Sequence, residues 1–254
     1  MRTVDKAIEL LGLFSEHEPE IGLSEISRRA KFDKATSRRL LLALAKHGMV
    51  EQNPDNRRYR IGPGVLRLAR VRETTMPLAA IVQPVLKRLV DGTGETAHFT
   101  LLSGGDLSTV AIQDSRRSNR VNMVPGETLP LHATASGLAI LAFLENENPS
   151  IVKKLKLEPF TKLTLTDRAR VGQVLIDTRR LGYVNNPGYY EVDVCSTAAP
   201  VFDLSGRPIG AIAVAAPQAR FTEENQEIIK TQVVAAAAEI TSRIGGSLPS
   251  GRVT

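Results

Sequence analysis

The side chains with the most concentrated chemistry lie between residues 24 and 60. Lys34, Ala35, Thr36, Ser37, Arg38 and Arg39 run consecutively, and Arg57, Arg58 and Arg60 cluster further on. Guanidinium groups donate in a fork that fits guanine edges and phosphate, and small or hydroxyl residues let a helix come close to base edges. Together these residues suit recognition of a nucleic acid duplex, with Ser24 and Lys31 beside them as further candidate contacts. The competing reading of this stretch alone is an ordinary amphipathic surface helix. Catalytic chemistry is poorly represented. Cys195 and His132 are conceivable as nucleophile and base, but the chain has no G-x-S-x-G, no H-E-x-x-H, no P-loop and no G-x-G-x-x-G after a strand. One cysteine excludes an internal disulfide and a cysteine-based zinc cluster. The expectation is no enzyme, no metal and no cofactor, with His132 and His98 as packing histidines.

The elements that must position the basic residues are legible in order. Residues 3–16 carry Val4, Ala7, Ile8, Leu11 and Phe14 at helical period. Ser24 is a candidate cap of a second helix, with Glu25 in its positive first turn. Lys31-Phe32-Asp33 reads as a tight turn, with Asp33 capping a third helix and Phe32 a possible staple. That helix buries Leu40, Leu41, Leu44 and Ala45 and ends at Gly48. Residues 49–61 then read as strand, turn at Asn53-Pro54-Asp55-Asn56, strand. Three helices followed by a basic hairpin make a winged helix-turn-helix over residues 1–62, its wing suited to backbone or minor-groove contact.

Residues 63–76 read as a basic linker helix, with Met76-Pro77 the expected boundary. Residues 77–245 change to an α+β pattern. Helices are expected at 78–91 (Pro84 kinking or breaking it), 135–144, 149–156 with Pro149 at its first turn, 167–181 capped by Thr166, and 222–244 capped by Thr222. Strands are expected at 95–102, 107–114 and 119–124, a short strand and a loop at 183–186, and a hairpin through Leu204-Ser205-Gly206-Arg207. The prediction is one antiparallel sheet flanked by helices, with a mobile tail over 246–254.

Charge supports the division. The 254 residues carry a net charge of +6. Residues 28–72 hold 13 Lys or Arg against 3 Asp or Glu, whereas the part after residue 75 holds 18 against 17. A basic segment beside a near-neutral remainder points to a polyanionic partner for the first part. No apolar run approaches the ~20 residues of a membrane span, and the first residues do not read as a signal peptide. A cytoplasmic protein is expected.

Longer stretches carry a family resemblance. VDKAIELLGLF, LSEISRRAKFDKATSRRLLLALAKHGMVEQ and RYRIGPGVLRLA in the first part resemble bacterial transcriptional regulators of the IclR type. So do TGETAHF, PGETLPLHATASGLAILAFL, RRLGYV and AAPVFDLSGRPIGAIAVAAP in the second. The resemblance implies a winged-helix DNA-binding domain, a linker helix and a GAF-like effector domain. It also implies a homodimer or homotetramer on double-stranded operator DNA, and control of a catabolic operon by a small organic acid. Repression is the expected sign; activation, or non-specific coating of DNA, are the alternatives. Effector contacts carried over from the family fall on Ala135, Ser136, Asn186, Val194, Ser196, Ala213 and Ala215.

Departures from the family pattern matter. Lys31 and Asp193 stand where the family usually has Gly, and Gly137-Leu138-Ala139 stands for Gly-Lys-Ala. Ala213 and Ala215 replace serines. Two missing hydroxyls would leave a buried carboxylate short of donors, which predicts a larger or less polar ligand than a small oxoacid, such as an aromatic or alicyclic acid. The alternative is that both alanines are strand core.

Overall fold

The computed structural model describes residues 3–15, 18–75, 78–147 and 150–249. The chain divides into two compact units, residues 1–77 and 78–254.

In the first unit, helix α1 (Thr3–Leu11) precedes α2 (Leu23–Ala30) and α3 (Lys34–Lys46). Strands β1 (Val50–Gln52) and β2 (Tyr59–Ile61) form the hairpin, and α4 (Gly64–Thr75) follows. Helix α1 ends at Leu11 rather than near 16, because Gly12 opens a turn that sends Leu13 and Phe14 back against the core. That core is Leu10, Ile21, Ile26, Ala30, Leu40, Leu41, Val50 and Tyr59. Ile21 bridges Tyr59 through two backbone hydrogen bonds of 2.9 and 2.8 Å, adding an isolated antiparallel bridge to the hairpin.

The second unit is a six-stranded sheet. Its strands are β3 (Thr96–Ser103), β4 (Asp106–Gln113), β5 (Thr128–Leu129), β6 (Val184–Asn186), β7 (Val194–Phe202) and β8 (Pro208–Pro217), in the order β5-β4-β3-β8-β7-β6. Among the described residues the strands of this sheet pair antiparallel, as expected. Helices α5 (Leu78–Thr93) and α9 (Glu223–Arg243) cover one face, where Val82, Leu86, Ile229 and Val233 meet Phe99, Val201, Ile212 and Val214. Helices α6 (Ala135–Glu147), α7 (Ile151–Lys154) and α8 (Arg168–Leu181) cover the other, where Leu138, Leu141, Val171 and Leu175 meet Leu107, Ala198, Phe202 and Ala211. Strands β7 and β8 are buried on both faces, which is why they read as apolar runs without alternation.

Several local expectations need correction. Helix α5 runs through Pro84, whose ring lies on the exposed side. Residues 119–124 form no strand; Thr96 and Arg220 hold that segment through the carbonyls of Val121 and Asn119, not through a ladder. Asp167, not Thr166, caps α8, accepting from the N–H groups of Ala169 and Arg170. Helix α7 is confined to Ile151–Lys154, and Pro149 lies outside the described residues. After α9, Gly246 donates to Thr241 and Ser247 to Asp203, so the chain there is tied to the β7–β8 hairpin. Met76-Pro77 and residues 250–254 of the tail lie outside the described residues.

Candidate functional site

The first candidate surface is built on the α2–turn–α3 motif. Helix α2 is entered from Gly22 with no side-chain cap, so Ser24 is not the cap; it is an exposed residue inside the first turn. Lys31 closes α2 in the left-handed conformation, φ 56° and ψ 36°, and its N–H reaches the carbonyls of Arg28 and Ser27. Asp33 caps α3 as expected: its side chain accepts from the Thr36 N–H at 2.7 Å, and this bond holds the carboxyl below the usual carboxylate range. Phe32 staples nothing at the fourth helical position, which is Ser37; it packs on the core, with Lys6 Nζ 5.2 Å from its ring centre. At the other end, Gly48 N–H reaches Ala45 and Met49 N–H reaches Leu44, a Schellman closure that turns the chain into the wing. The wing returns so close that a Cβ on Gly62 would lie 2.3 Å from the Gly48 carbonyl oxygen.

This framework sorts the basic residues. On α3, Lys34, Ala35, Arg38 and Arg39 are exposed and Thr36 is half-buried. Ser37 is fully buried and its hydroxyl donates to the Asp33 carbonyl, so it is a packing residue rather than a DNA contact. Arg28 and Arg29 are neutralised within the unit by Glu25 and Glu18. Arg60 is paired with Glu51 at 2.6 Å and Glu20 at 3.4 Å, and Arg58 donates twice to the Glu20 carbonyl. These bonds tie the wing to the 18–20 loop and leave Arg58 and Arg60 less available than expected. Arg57 sits at the wing tip, exposed and left-handed at φ 56°. Among the described residues, Lys31, Lys34, Arg38, Arg39 and Arg57 have no carboxylate partner. A line of uncompensated cations on a helix face and a hairpin tip is an electrostatic surface for phosphate.

The second candidate site is a cavity of about 60 Å³ in the sheet unit. Six of the seven positions expected at an effector site line it: Ala135, Ser136, Asn186, Val194, Ser196 and Ala215. Ala213 does not; it is fully buried in the apolar layer under α6, and the strand-core reading is correct there. The start of α6 forms part of the wall. Gly137 is needed at this point, because a Cβ there would lie 2.2 Å from the Leu131 carbonyl oxygen. Thr134 Oγ1 accepts from Gly137 N–H at 3.1 Å, leaving the earlier N–H groups of Ala135 and Ser136 as the ones no carbonyl of their own helix can take. Asn186 is used internally: its Nδ2 donates to Ala133 and its Oδ1 accepts from Gly188 and Tyr189. It therefore positions the 186–190 loop.

The lining also contains residues that were not expected at an effector site, among them His98, which the sequence suggested as a packing histidine. His98 is 5% exposed, its Nε2 lies 3.5 Å from Ser136 Oγ, and its Nδ1 is buried with no partner. Burial pushes its pKa down to about 4, so the ring is neutral at pH 7. Glu127, Tyr190 and Glu191 stand at the solvent-facing part of the wall. The Tyr190 hydroxyl is 3.5 Å from Glu127 Oε1, and Phe160 meets the Tyr190 ring edge-on at 5.0 Å. Burial and then the neighbouring Glu127 charge push the Glu191 carboxyl above its ordinary value. Among the described residues no Lys or Arg lines the cavity. The charged side chains of the lining are therefore the two carboxylates Glu127 and Glu191. Asp193, in the adjoining turn, is left-handed at φ 64°. It and Lys31 thus occupy backbone conformations that favour glycine.

No group of three or more His, Cys, Asp or Glu among the described residues could hold a metal ion. No helix among them is long and apolar enough to cross a membrane. Cys195 is buried, and burial pushes its thiol up, the opposite of an activated nucleophile.

A winged helix-turn-helix with a basic reading face, followed by a separate helix-flanked sheet unit with a cavity, is the plan of a DNA-binding transcriptional regulator. The IclR helix-turn-helix domain matches residues 3–54, and the domain described as bacterial transcriptional regulator IclR C-terminal matches residues 73–242. The chain belongs to the IclR family, whose members are transcriptional regulators and not enzymes. A crystal structure of an IclR-type regulator from Silicibacter sp. TM1040 is 39% identical and superposes with a TM-score of 0.91, over 100% of both chains. The transcriptional repressor IclR of Escherichia coli is 26% identical over 97% of this chain and 91% of its own length. An IclR homologue from Microbacterium hydrocarbonoxydans, crystallised with 4-hydroxybenzoate, shares the fold at 24% identity and a TM-score of 0.77, over 96% of this chain and 99% of its own.

Proposed function

We propose that this regulator is a repressor of a catabolic operon, released or tightened on its operator by a small molecule held in the cavity between α6, β3 and β7. The observation that carries the DNA-binding part is the sorting of charge. The arginines of α2 are neutralised by neighbouring carboxylates, whereas Lys34, Arg38 and Arg39 on the exposed face of α3 are not. The Escherichia coli relative's description as a repressor supports the sign. Exposed apolar side chains in the first unit, among them Val4, Ile8, Leu66 and Val71, support assembly as a homodimer or homotetramer. Two such units would present their α3 helices to successive major grooves about 34 Å apart. An organic acid as effector is supported by the Microbacterium homologue and by the start of α6 in the cavity wall, while Glu127 and Glu191 in the same wall favour a cationic group beside it.

The test is binding of the full chain to the DNA upstream of its own coding sequence, against a scrambled duplex of equal length, at stepped salt with and without metabolites. Preference for the upstream duplex, changed by a metabolite, is expected. Equal affinity for both duplexes would replace the regulator with a non-specific DNA binder.

A further inference from the structure

We propose that the cavity binds a compact zwitterion, a small aliphatic amino acid, with its carboxylate at the start of α6 and its ammonium between Glu127, Glu191 and Tyr190. The proposal rests on the reading of this cavity as the effector site and names the chemistry of what enters it. Its basis is that the two ends of the wall carry opposite demands.

The inner end offers donors. The first N–H groups of α6, at Ala135 and Ser136, are unused by their own helix, and the positive end of a helix favours an anion. Ser136 and Ser196 add hydroxyls to the same wall. His98 is an unmet demand there: it is nine-tenths buried, it lines the cavity, and its Nδ1 has no partner. An amine without a carboxylate would leave these donors unanswered.

The outer end offers acceptors. Glu127 and Glu191 share it, and no Lys or Arg lining the cavity among the described residues balances them. Tyr190 adds a ring face whose orientation Phe160 fixes edge-on, and an aromatic face attracts an ammonium group. A ligand that is only an anion would bring a third negative charge to two carboxylates. One ammonium placed between them removes that repulsion and makes charge-assisted hydrogen bonds.

Size restricts the body of the ligand. An apolar cavity of about 150 Å³ is what benzene fills, whereas this one is about 60 Å³. The middle of the wall is small and apolar at Ala135, Ala215 and Val194. That suits a few aliphatic carbons and not an aromatic ring.

Calorimetric titration of the full chain with matched triads tests this. Alanine is compared with isobutyrate and isopropylamine, and glycine with propionate and ethylamine. The expected result is that at least one zwitterion binds about tenfold or more tighter than both of its partners. Glu127→Gln and Glu191→Gln, both on the accessible part of the wall, should each narrow that gap by weakening the zwitterion and not the nitrogen-free acid. Equal or tighter binding of the acids overturns the proposal, as does binding of none of the zwitterions. The same compounds are added to the DNA-binding assay. An acid that binds and alters DNA affinity refutes the zwitterion and leaves the ligand-controlled regulator standing; DNA affinity that ignores every compound, including those that bind, refutes control through this cavity.

Discussion

Replacing Lys31 by glycine separates two contributions that this residue makes to the recognition motif. Lys31 closes α2 at φ 56° and ψ 36°. A residue with a Cβ is held there at a cost of roughly 1 kcal/mol relative to glycine, and glycine gives back part of that through the extra freedom of the unfolded chain. The Lys31 side chain is exposed and has no carboxylate partner among the described residues, so little packing is lost. The net expectation for Lys31→Gly is a gain of about 0.5 kcal/mol in the first unit. Native-state hydrogen exchange of α2 and α3 amides in the full chain reads this directly, as a slowing of about twofold in those amides that exchange by unfolding of the unit. DNA binding should move the other way. If the Lys31 ammonium reaches a phosphate, its removal lowers the slope of log affinity against log salt by about one for each protomer bound. Faster exchange in α2 and α3 would refute the strain argument, and an unchanged salt slope would refute the phosphate contact. The two outcomes are independent, because one depends on the backbone and the other on the side chain.

Other substitutions test the sorting of the remaining residues. Arg38→Ala or Arg39→Ala should weaken operator binding by about 1–3 kcal/mol if the side chain reads a base edge; a fluorescence-anisotropy titration that shows no loss at moderate salt would remove that arginine from the interface. Ser37→Ala should leave operator affinity at fixed temperature unchanged while destabilising the unit by about 1 kcal/mol, since its buried hydroxyl serves only the Asp33 carbonyl. His98 gives a pH signature. Its folded pKa of about 4 lies below the ordinary 6.5, so the unfolded chain takes up the proton first. Stability of the second unit should therefore be full above pH 6.5 and fall between 6.5 and 4, by a few kcal/mol in order of magnitude. Denaturation of His98→Gln across that range should show a flatter profile, and a profile identical to the unmodified chain would mean that His98 is not buried neutral.

The features legible in the sequence are those whose chemistry is local. Asp33 with Thr36 three residues on, Gly48 after an apolar run, and the Asn-Pro-Asp-Asn turn each carry their geometry within a few residues, and each forms as expected. Where two neighbouring residues have equal claim to a role, the sequence does not decide. Thr166 and Asp167 are both good caps, and Asp167 takes the role because it is the residue that precedes the first helical turn. Ser24 fails for the same reason in reverse, because the helix already begins at Leu23. Helical spacing also could not tell the exposed Lys34, Arg38 and Arg39 from the buried Ser37, since Ser37 is polar but lies on the same side as Leu40 and Leu41.

The cavity shows a further limit, and it has a consequence for how the ligand is recognised. Family positions locate six residues of the wall, all on the sheet or at the start of α6. The residues that set its charge, Glu127 and Glu191, sit in connections far apart in sequence and meet only because two separate devices bring their loops to one place. Glu95, 3% exposed, takes both Arg220 and Arg117 at 2.6 and 2.7 Å, and Arg220 also holds the Asn119 carbonyl. This fixes the path leading toward Glu127. Asn186 fixes the other side by holding Gly188 and Tyr189 through one oxygen and Ala133 through its nitrogen. A carboxylate buried between two guanidinium groups keeps its place only while both partners remain, and removing one charge from such a group is costly. Glu95→Gln should thus release the 115–121 segment and weaken ligand binding without touching a wall residue, while leaving the DNA salt slope as it was. Ligand binding unaltered by Glu95→Gln would show that the wall of the cavity is held by Asn186 and the sheet alone.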